Sequence, residues 1–260
     1  MEILIPILTL GILGLIFGVG LAIASKKLAV QVDPRLDRIH GLLPGANCGT
    51  CGGAGCFGFA ELILSGKAKI DACRVAQEEA KEKIAQVLGR ELIKDVKKIA
   101  TLNCNGGRKV KDRFIYQGIE DCVAANLVLG GQKECVWGCL GFGSCAKVCP
   151  FGAIKMSDEG LPVLDKNKCK ACNKCVLICP KKLFTLIPVK QTVYVACSSR
   201  DLGKDTKAVC PVGCIACRKC EQVCPADAIH VIDNLAIIDY NKCTSCGKCV
   251  EACPMKTIRR

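Results

Sequence analysis

The chain opens with a stretch that has no polar face at all. Residues 3–24 carry no charged side chain, and wound as a helix they cover about 33 Å, enough to cross a bilayer. Pro6 falls in the first turn, where it costs little. Gly14, Gly18 and Ala22 recur every fourth residue; such a stripe lets another helix approach closely, or simply reflects how common glycine is in membrane helices. The pattern turns polar from Lys26 to Arg38, with Asp33-Pro34 as a boundary. Residues 57–64 are apolar and helix-like. Residues 74–88 place Val75, Ile84, Val87 and Leu88 among Ala, Glu and Lys and stop at Gly89, which predicts an amphipathic helix. A short strand is predicted at 95–102, running into the turn Asn103-Cys104-Asn105-Gly106-Gly107. Two hairpins are predicted further on, 153–156 with 161–164 and 228–232 with 235–238, the second turning at Asp233-Asn234.

Over this pattern lie 24 cysteines in a chain of 260 residues. Cys214, Cys217, Cys220 and Cys224 precede Pro225, and Cys243, Cys246, Cys249 and Cys253 precede Pro254. Each run reads Cys-x2-Cys-x2-Cys-x3-Cys-Pro, the spacing with which bacterial ferredoxins hold cubic iron–sulfur clusters, the fourth cysteine reaching across to the other cluster. Cys214, Cys217, Cys220 and Cys253 are therefore predicted to hold one cube, and Cys243, Cys246, Cys249 and Cys224 the next. Zinc would need two paired thiols rather than two quadruplets ending in Cys-Pro. Disulfides are disfavoured because neighbouring thiols two residues apart suit chelation better, which implies a reducing compartment.

The same arrangement appears once earlier. Adding 75 carries Cys122 to Cys197, Cys135 to Cys210, Cys139 to Cys214, Cys145 to Cys220 and Cys149 to Cys224; adding 74 carries Cys169, Cys172, Cys175 and Cys179 to the last run. Phe142 stands where the later copy has Cys217, so Cys139, Cys145 and Cys179 are one ligand short. Cys135 is the nearest candidate, with a three-iron cluster or another fourth ligand as alternatives. Cys149 then joins Cys169, Cys172 and Cys175. Nearer the N-terminus, Cys48, Cys51 and Cys56 sit among glycines, which allow a tight curl around a cube, and Cys73 is the natural fourth ligand. Cys104, Cys122, Cys197 and Cys210 are left over. They either close a sixth ligand set or remain buried free thiols, so the count is five 4Fe-4S clusters or six.

These readings give an α+β chain: a transmembrane anchor (1–27), a small Cys/Gly-rich helical 4Fe-4S module (33–95), a connecting segment with extra cysteines (96–134), and tandem bacterial-type ferredoxin domains (135–185 and 210–260) joined by 186–209. The formal charge of +13 does not point to nucleic acid. Each cube with four thiolates contributes about −2, so six bring about −12 and leave about +1, and aromatics at 4% offer little for base stacking. The glycine-rich run lacks a following Gly-Lys-Ser/Thr, and Gly141-Phe142-Gly143-Ser144-Cys145-Ala146 follows no strand, so neither reads as a nucleotide site. No flavin site or catalytic dyad is legible, and His40 and His230 receive no role. The chain reads as a conductor rather than a self-contained iron–sulfur enzyme or a structural metal protein.

An apolar anchor, then Leu-Pro-Gly-Ala-Asn-Cys-Gly-Thr-Cys-Gly-Gly-Ala-Gly-Cys over 43–56, then ferredoxin motifs, resembles the B subunit of the Rnf complex, an ion-translocating ferredoxin:NAD oxidoreductase. The resemblance covers essentially the whole chain, in the longer form with two ferredoxin domains. It implies that the chain accepts electrons from soluble ferredoxin and relays them to flavin-bearing, NAD-binding and integral-membrane subunits, without catalysis of its own. Lys26 and Lys27 follow the anchor and no basic region precedes it. The anchor is thus expected to stay uncleaved, leaving the clusters on the cytoplasmic side of the bacterial inner membrane. Lys147, Lys155, Lys170, Lys174, Lys181 and Lys182 are candidates for docking an acidic ferredoxin, or for balancing cluster charge.

Overall fold

The computed structural model describes residues 4–27, 33–92 and 96–260. Helix α1, Leu4–Lys27, has 24 residues with Lys26 and Lys27 in its last turn, a length of about 36 Å. It runs three residues beyond the predicted span because nothing between Ala24 and Lys27 breaks a helix. From Ile7 onward its side chains are exposed except for the half-buried Ala24, and the segment Ile7–Lys27 is long and apolar enough to cross a membrane. A helix that is apolar all round, and of which none of the described span is buried, is suited to apolar surroundings.

A three-helix module follows. Asp33, read from the sequence as a boundary, caps α2, Pro34–Leu42: its carboxylate accepts the Arg35 N–H at 2.9 Å and Pro34 opens the first turn. Helix α3 is Gly55–Leu64 and α4 is Glu78–Leu88. The predicted amphipathic helix starts four residues late. Gln77 is extended, and Glu78 and Glu79 occupy the first turn, where negative charge meets the positive end of the helix dipole. Gly89 ends it in the left-handed conformation, φ 63°. Leu36 and Ile39 of α2, Phe59, Ala60 and Ile63 of α3, and Ile84 and Ala85 of α4 form one core, and Cys56 and Cys73 belong to it.

The rest is two units of like construction. In the first, β1 (Lys98–Leu102) leads to α5 (Cys122–Leu127), α6 (Ser144–Lys147), the hairpin of β2 (Ile154–Met156) and β3 (Pro162–Leu164), α7 (Lys174–Ile178) and β4 (Phe184–Pro188). The strand start predicted at residue 95 lies outside the described residues. Strand β1 pairs antiparallel with β4, Lys98 opposite Pro188 and Leu102 opposite Phe184. In the second, β5 (Tyr194–Val195) leads to α8 (Gly203–Val209), α9 (Lys219–Gln222), the hairpin of β6 (Ile229–Ile232) and β7 (Leu235–Ile238), α10 (Lys248–Ala252) and β8 (Ile258–Arg259), which returns to pair with β5. Asp233 and Asn234 turn the second hairpin with φ of 46° and 61°, the backbone a two-residue hairpin turn demands. Each unit packs its strands and its thiols into one core. The sheets are two-stranded, too small to stand alone, so the thiol-bearing loops carry much of the packing.

Candidate metal centres

Four loops share one backbone shape. Two and four residues after Cys139, Cys169, Cys214 and Cys243 come Gly141 and Gly143, Ala171 and Asn173, Ala216 and Arg218, and Ser245 and Gly247, all with φ between 51° and 87°. Left-handed backbone costs a non-glycine residue roughly 1–2 kcal/mol. Its recurrence at Ala171, Ala216 and Ser245 therefore marks a curl imposed by the loop, one that turns thiols three residues apart toward a common point. A second repeat comes after each Cys-Pro: Gly152, Lys182, Asp227 and Lys256 have φ of 57°, 52°, 47° and 50°. In three of the four, the next residue donates its N–H to the cysteine sulfur, Leu183 to Cys179 at 3.4 Å, Ala228 to Cys224 at 3.3 Å and Thr257 to Cys253 at 3.4 Å. Such bonds favour a thiolate over a thiol.

The loops gather the thiols around cavities of similar size. Cys214, Cys217, Cys220 and Cys253 line one of about 360 Å³, and Cys224, Cys243, Cys246 and Cys249 line one of about 350 Å³. Both are sets predicted from spacing. Burial, and then the neighbouring thiols, push Cys220 and Cys249 up to about 11.

The first unit differs from expectation at one ligand. Cys139, Cys145 and Cys179 line a cavity of about 380 Å³ with Cys122, and Cys135 is not on its wall. The reason lies in Ser144, whose buried hydroxyl accepts the Cys122 N–H at 2.8 Å and donates to Asp121 Oδ2 at 2.6 Å. Asp121 in turn caps α5, and the Ser144 hydroxyl holds its carboxyl below the usual carboxylate range. Phe142, in the place of a cysteine, packs against Tyr116 with ring centroids 5.3 Å apart. The segment before α5 thus folds over the altered loop and delivers Cys122 beside Cys145. Burial pushes Cys145 up to about 12, with Cys122 and Cys179 adding to it. Cys135 lies instead beside Cys104 and Cys210: burial, with those two thiols contributing, pushes it up to about 11. The Cys122–Cys197 equivalence drawn from the offset of 75 fails with it, because Cys122 opens a helix and Cys197 comes after a strand.

The remaining predicted sets converge. Burial pushes Cys175 up to about 12, with Cys169, Cys172, Cys145 and Cys149 close enough to contribute. Burial also raises Cys172, followed by Cys48, Cys149 and Cys169, so the three-helix module sits against this part of the first unit. Within the module, Asn47 Oδ1 accepts the Cys56 N–H at 2.8 Å. Gly53 packs directly on the Phe59 backbone, leaving no room for a Cβ. Burial raises the Cys73 thiol, with Cys51 and Cys48 contributing.

The donor set fits cubic clusters. All 24 cysteines are free of disulfides. Among the described residues no three Cys, His, Asp or Glu side chains come close enough to hold a single metal ion. Four thiols spread around one cavity instead suit a cube that takes one thiolate on each of its four irons.

Comparison with known proteins agrees. Residues 43–75 match the Fe-S cluster family and residues 207–258 match the 4Fe-4S dicluster domain family. The chain is 47% identical to the B subunit of the Na(+)-translocating ferredoxin:NAD(+) oxidoreductase complex of Acetobacterium woodii, over 93% of this chain and 73% of the relative. It is 44% identical to the B subunit of the ion-translocating oxidoreductase complex of Methanosarcina acetivorans, over 89% of this chain and 88% of the relative. The chain belongs to the family of B subunits of ion-translocating oxidoreductases. A third member, the B subunit of the proton-translocating ferredoxin:NAD(+) oxidoreductase complex of Clostridium ljungdahlii, is 40% identical over 93% of this chain and 86% of its own length. The B subunit therefore carries 4Fe-4S clusters as part of a multi-subunit, membrane-associated oxidoreductase. Its repeated cysteine spacing made most of these thiol groupings legible. The place of Cys122 was not, since only Phe142, a missing ligand, signals that a thiol must arrive from elsewhere.

Proposed function

We propose that this B subunit takes electrons from a reduced soluble ferredoxin and passes them to flavin-bearing, NAD-binding and integral-membrane partner subunits. The observation that carries this reading is the fourfold repeat of one loop backbone that gathers thiols into sets of four. Four sets follow from it, Cys149, Cys169, Cys172 and Cys175; Cys122, Cys139, Cys145 and Cys179; Cys214, Cys217, Cys220 and Cys253; and Cys224, Cys243, Cys246 and Cys249; the three-helix module adds a fifth, Cys48, Cys51, Cys56 and Cys73. When bound there, 4Fe-4S clusters supply one-electron carriers. The protein's part is to place them, keep water away, and lower the charge on sulfur through the N–H bonds to Cys179, Cys224 and Cys253.

The thiols of neighbouring sets lie near one another, Cys48 with Cys172 and Cys145 with Cys175, which supports a row rather than isolated sites. Helix α1 tethers the row to a membrane, and Lys26 and Lys27 at its end favour the cytoplasmic side for the cluster-bearing remainder of the chain. Of the candidate docking lysines, Lys147 and Lys181 are spoken for: their ammonium groups donate to Glu120 O at 2.8 Å and Val136 O at 2.7 Å. Burial also lowers the pKa of Lys181. Lys155, Lys170 and Lys182 are exposed and remain to attract an acidic carrier. The named relatives move Na+ in one case and protons in another at comparable identity, so the features these chains share do not select the ion.

Rapid mixing of the anaerobically purified chain with reduced ferredoxin tests the reading. Bleaching of the brown absorbance, slower as salt rises, is the expected result; absence of any electron uptake contradicts it.

A further inference from the structure

We propose that Cys104, Cys135, Cys197 and Cys210 are the ligands of a further 4Fe-4S cluster, seated in the seam between the two ferredoxin-like units, each unit contributing two thiolates. The inference rests on the cluster reading above and adds a site that no sequence motif marks. The four thiols line one cavity, as three of the other sets each line one. Cys135, Cys197 and Cys210 are 7%, 9% and 7% exposed. Burial pushes Cys197 up to about 12, with Cys214 and Cys104 among its neighbours, and it raises Cys210, which also feels Cys104.

The two units present these thiols in the same way. Cys104 stands two residues past β1, and Cys197 two residues past β5. Cys135 stands four residues before the loop that begins at Cys139, and Cys210 four before the loop that begins at Cys214. Gly138 N–H bonds to Cys135 O at 3.0 Å, and Gly213 N–H to Cys210 O at 3.3 Å. A Cβ on Gly138 would lie 3.5 Å from the Cys135 sulfur.

A fifth thiol, Cys139, also touches this cavity, and the symmetry assigns it a different part. The Cys139 N–H donates to Cys104 Sγ at 3.4 Å, and the Cys214 N–H donates to Cys197 Sγ at 3.4 Å. Each is the first cysteine of its own loop, with its own set of four, and offers the seam sulfur a backbone donor. That donor steadies the seam sulfur as a thiolate.

Two further observations belong to the same wall. Asn105 Nδ2 lies buried there with no hydrogen-bond partner among the described residues; sulfide and thiolate sulfurs are acceptors of the kind it lacks, and buried donors are seldom left unpaired. The seam is also pinned across the units. Trp137 Nε1 donates to Asp201 Oδ1 at 3.0 Å and Ser198 Oγ donates to Asn103 O at 2.9 Å, so the two pairs of thiols are held in fixed relation. On binding, each thiol gives up its proton and forms one sulfur–iron bond.

An anomalous difference map at the iron edge, from the anaerobically purified full chain, tests the site. A peak enclosed by Cys104, Cys135, Cys197 and Cys210, beside peaks at the five other sets, is the expected result. Peaks at those sets with none in the seam would overturn the proposal and leave the proposed function standing, whereas iron at none of them overturns both. The variant carrying Cys104→Ser and Cys197→Ser gives a second readout. Its iron content should fall from about 24 to about 20 atoms per chain, with the EPR signals of the remaining clusters retained. Unchanged iron in that variant also counts against the site.

Discussion

At the scale of single residues, the difference between Cys122 and Cys135 is the sharpest consequence of the geometry. Cys122→Ser should convert the cluster of Cys139, Cys145 and Cys179 to a three-iron form or abolish it, because Ser144 and Asp121 place that thiol and no other against the loop. Low-temperature EPR of the variant before reduction would show a new three-iron signal or the loss of one cluster's share of iron; an unaltered spectrum and iron count contradict the assignment. A second residue tests packing rather than ligation. Gly53 abuts the Phe59 backbone, so Gly53→Ala overpacks the module that holds Cys56 and Cys73, at about 1–3 kcal/mol. Denaturant titration should show that loss, with iron leaving this module first. Ala171→Gly is the converse case: it relieves a left-handed alanine, φ 51°, and should keep full iron content.

At the scale of elements, α1 and the β1–β4 pairing divide the labour between tethering and holding. Removing residues 1–27 should release the chain from membranes without loss of iron, since no described residue of α1 belongs to the cores around the thiols; membrane flotation and iron analysis of the truncated chain check both halves of that statement. Ile99 and Ile187 face each other across the sheet at 1% exposed, so Ile99→Ala should cost about 2–5 kcal/mol, measured as a shift in the unfolding midpoint. Both hairpins and the anchor were legible in the sequence because alternation and unbroken apolarity are local signals. The partners of β1 and β5 were not, since each pairs with a strand that arrives after an entire ferredoxin-like unit, 82 residues later for Leu102 and Phe184. Short strands with no periodicity of their own are settled by such distant pairing. The early helix α2 was missed for another reason: Asp33-Pro34 signals a boundary from either side, and here it opens a helix rather than closing a linker.

At the scale of the whole molecule, one spacing rule applied repeatedly gathers the thiols of a cysteine-rich chain of net positive charge into a series of cages that follow an apolar helix. The repeat in sequence exposed the cages within each unit; the seam between units lay beyond it, because Cys104 and Cys197 come together by strand placement and not by offset. Exposed Lys155, Lys170 and Lys182 should steer an acidic donor, so Lys170→Glu with Lys182→Glu should slow electron uptake several-fold at low salt and little at high salt. Stopped-flow reduction by ferredoxin at two ionic strengths measures it. Iron and acid-labile sulfide, assayed together on the full chain purified without oxygen, should each come to about 20–24 atoms per chain, in a brown protein that bleaches with dithionite. A colourless chain, or one whose thiols hold zinc without sulfide, would contradict the cluster reading.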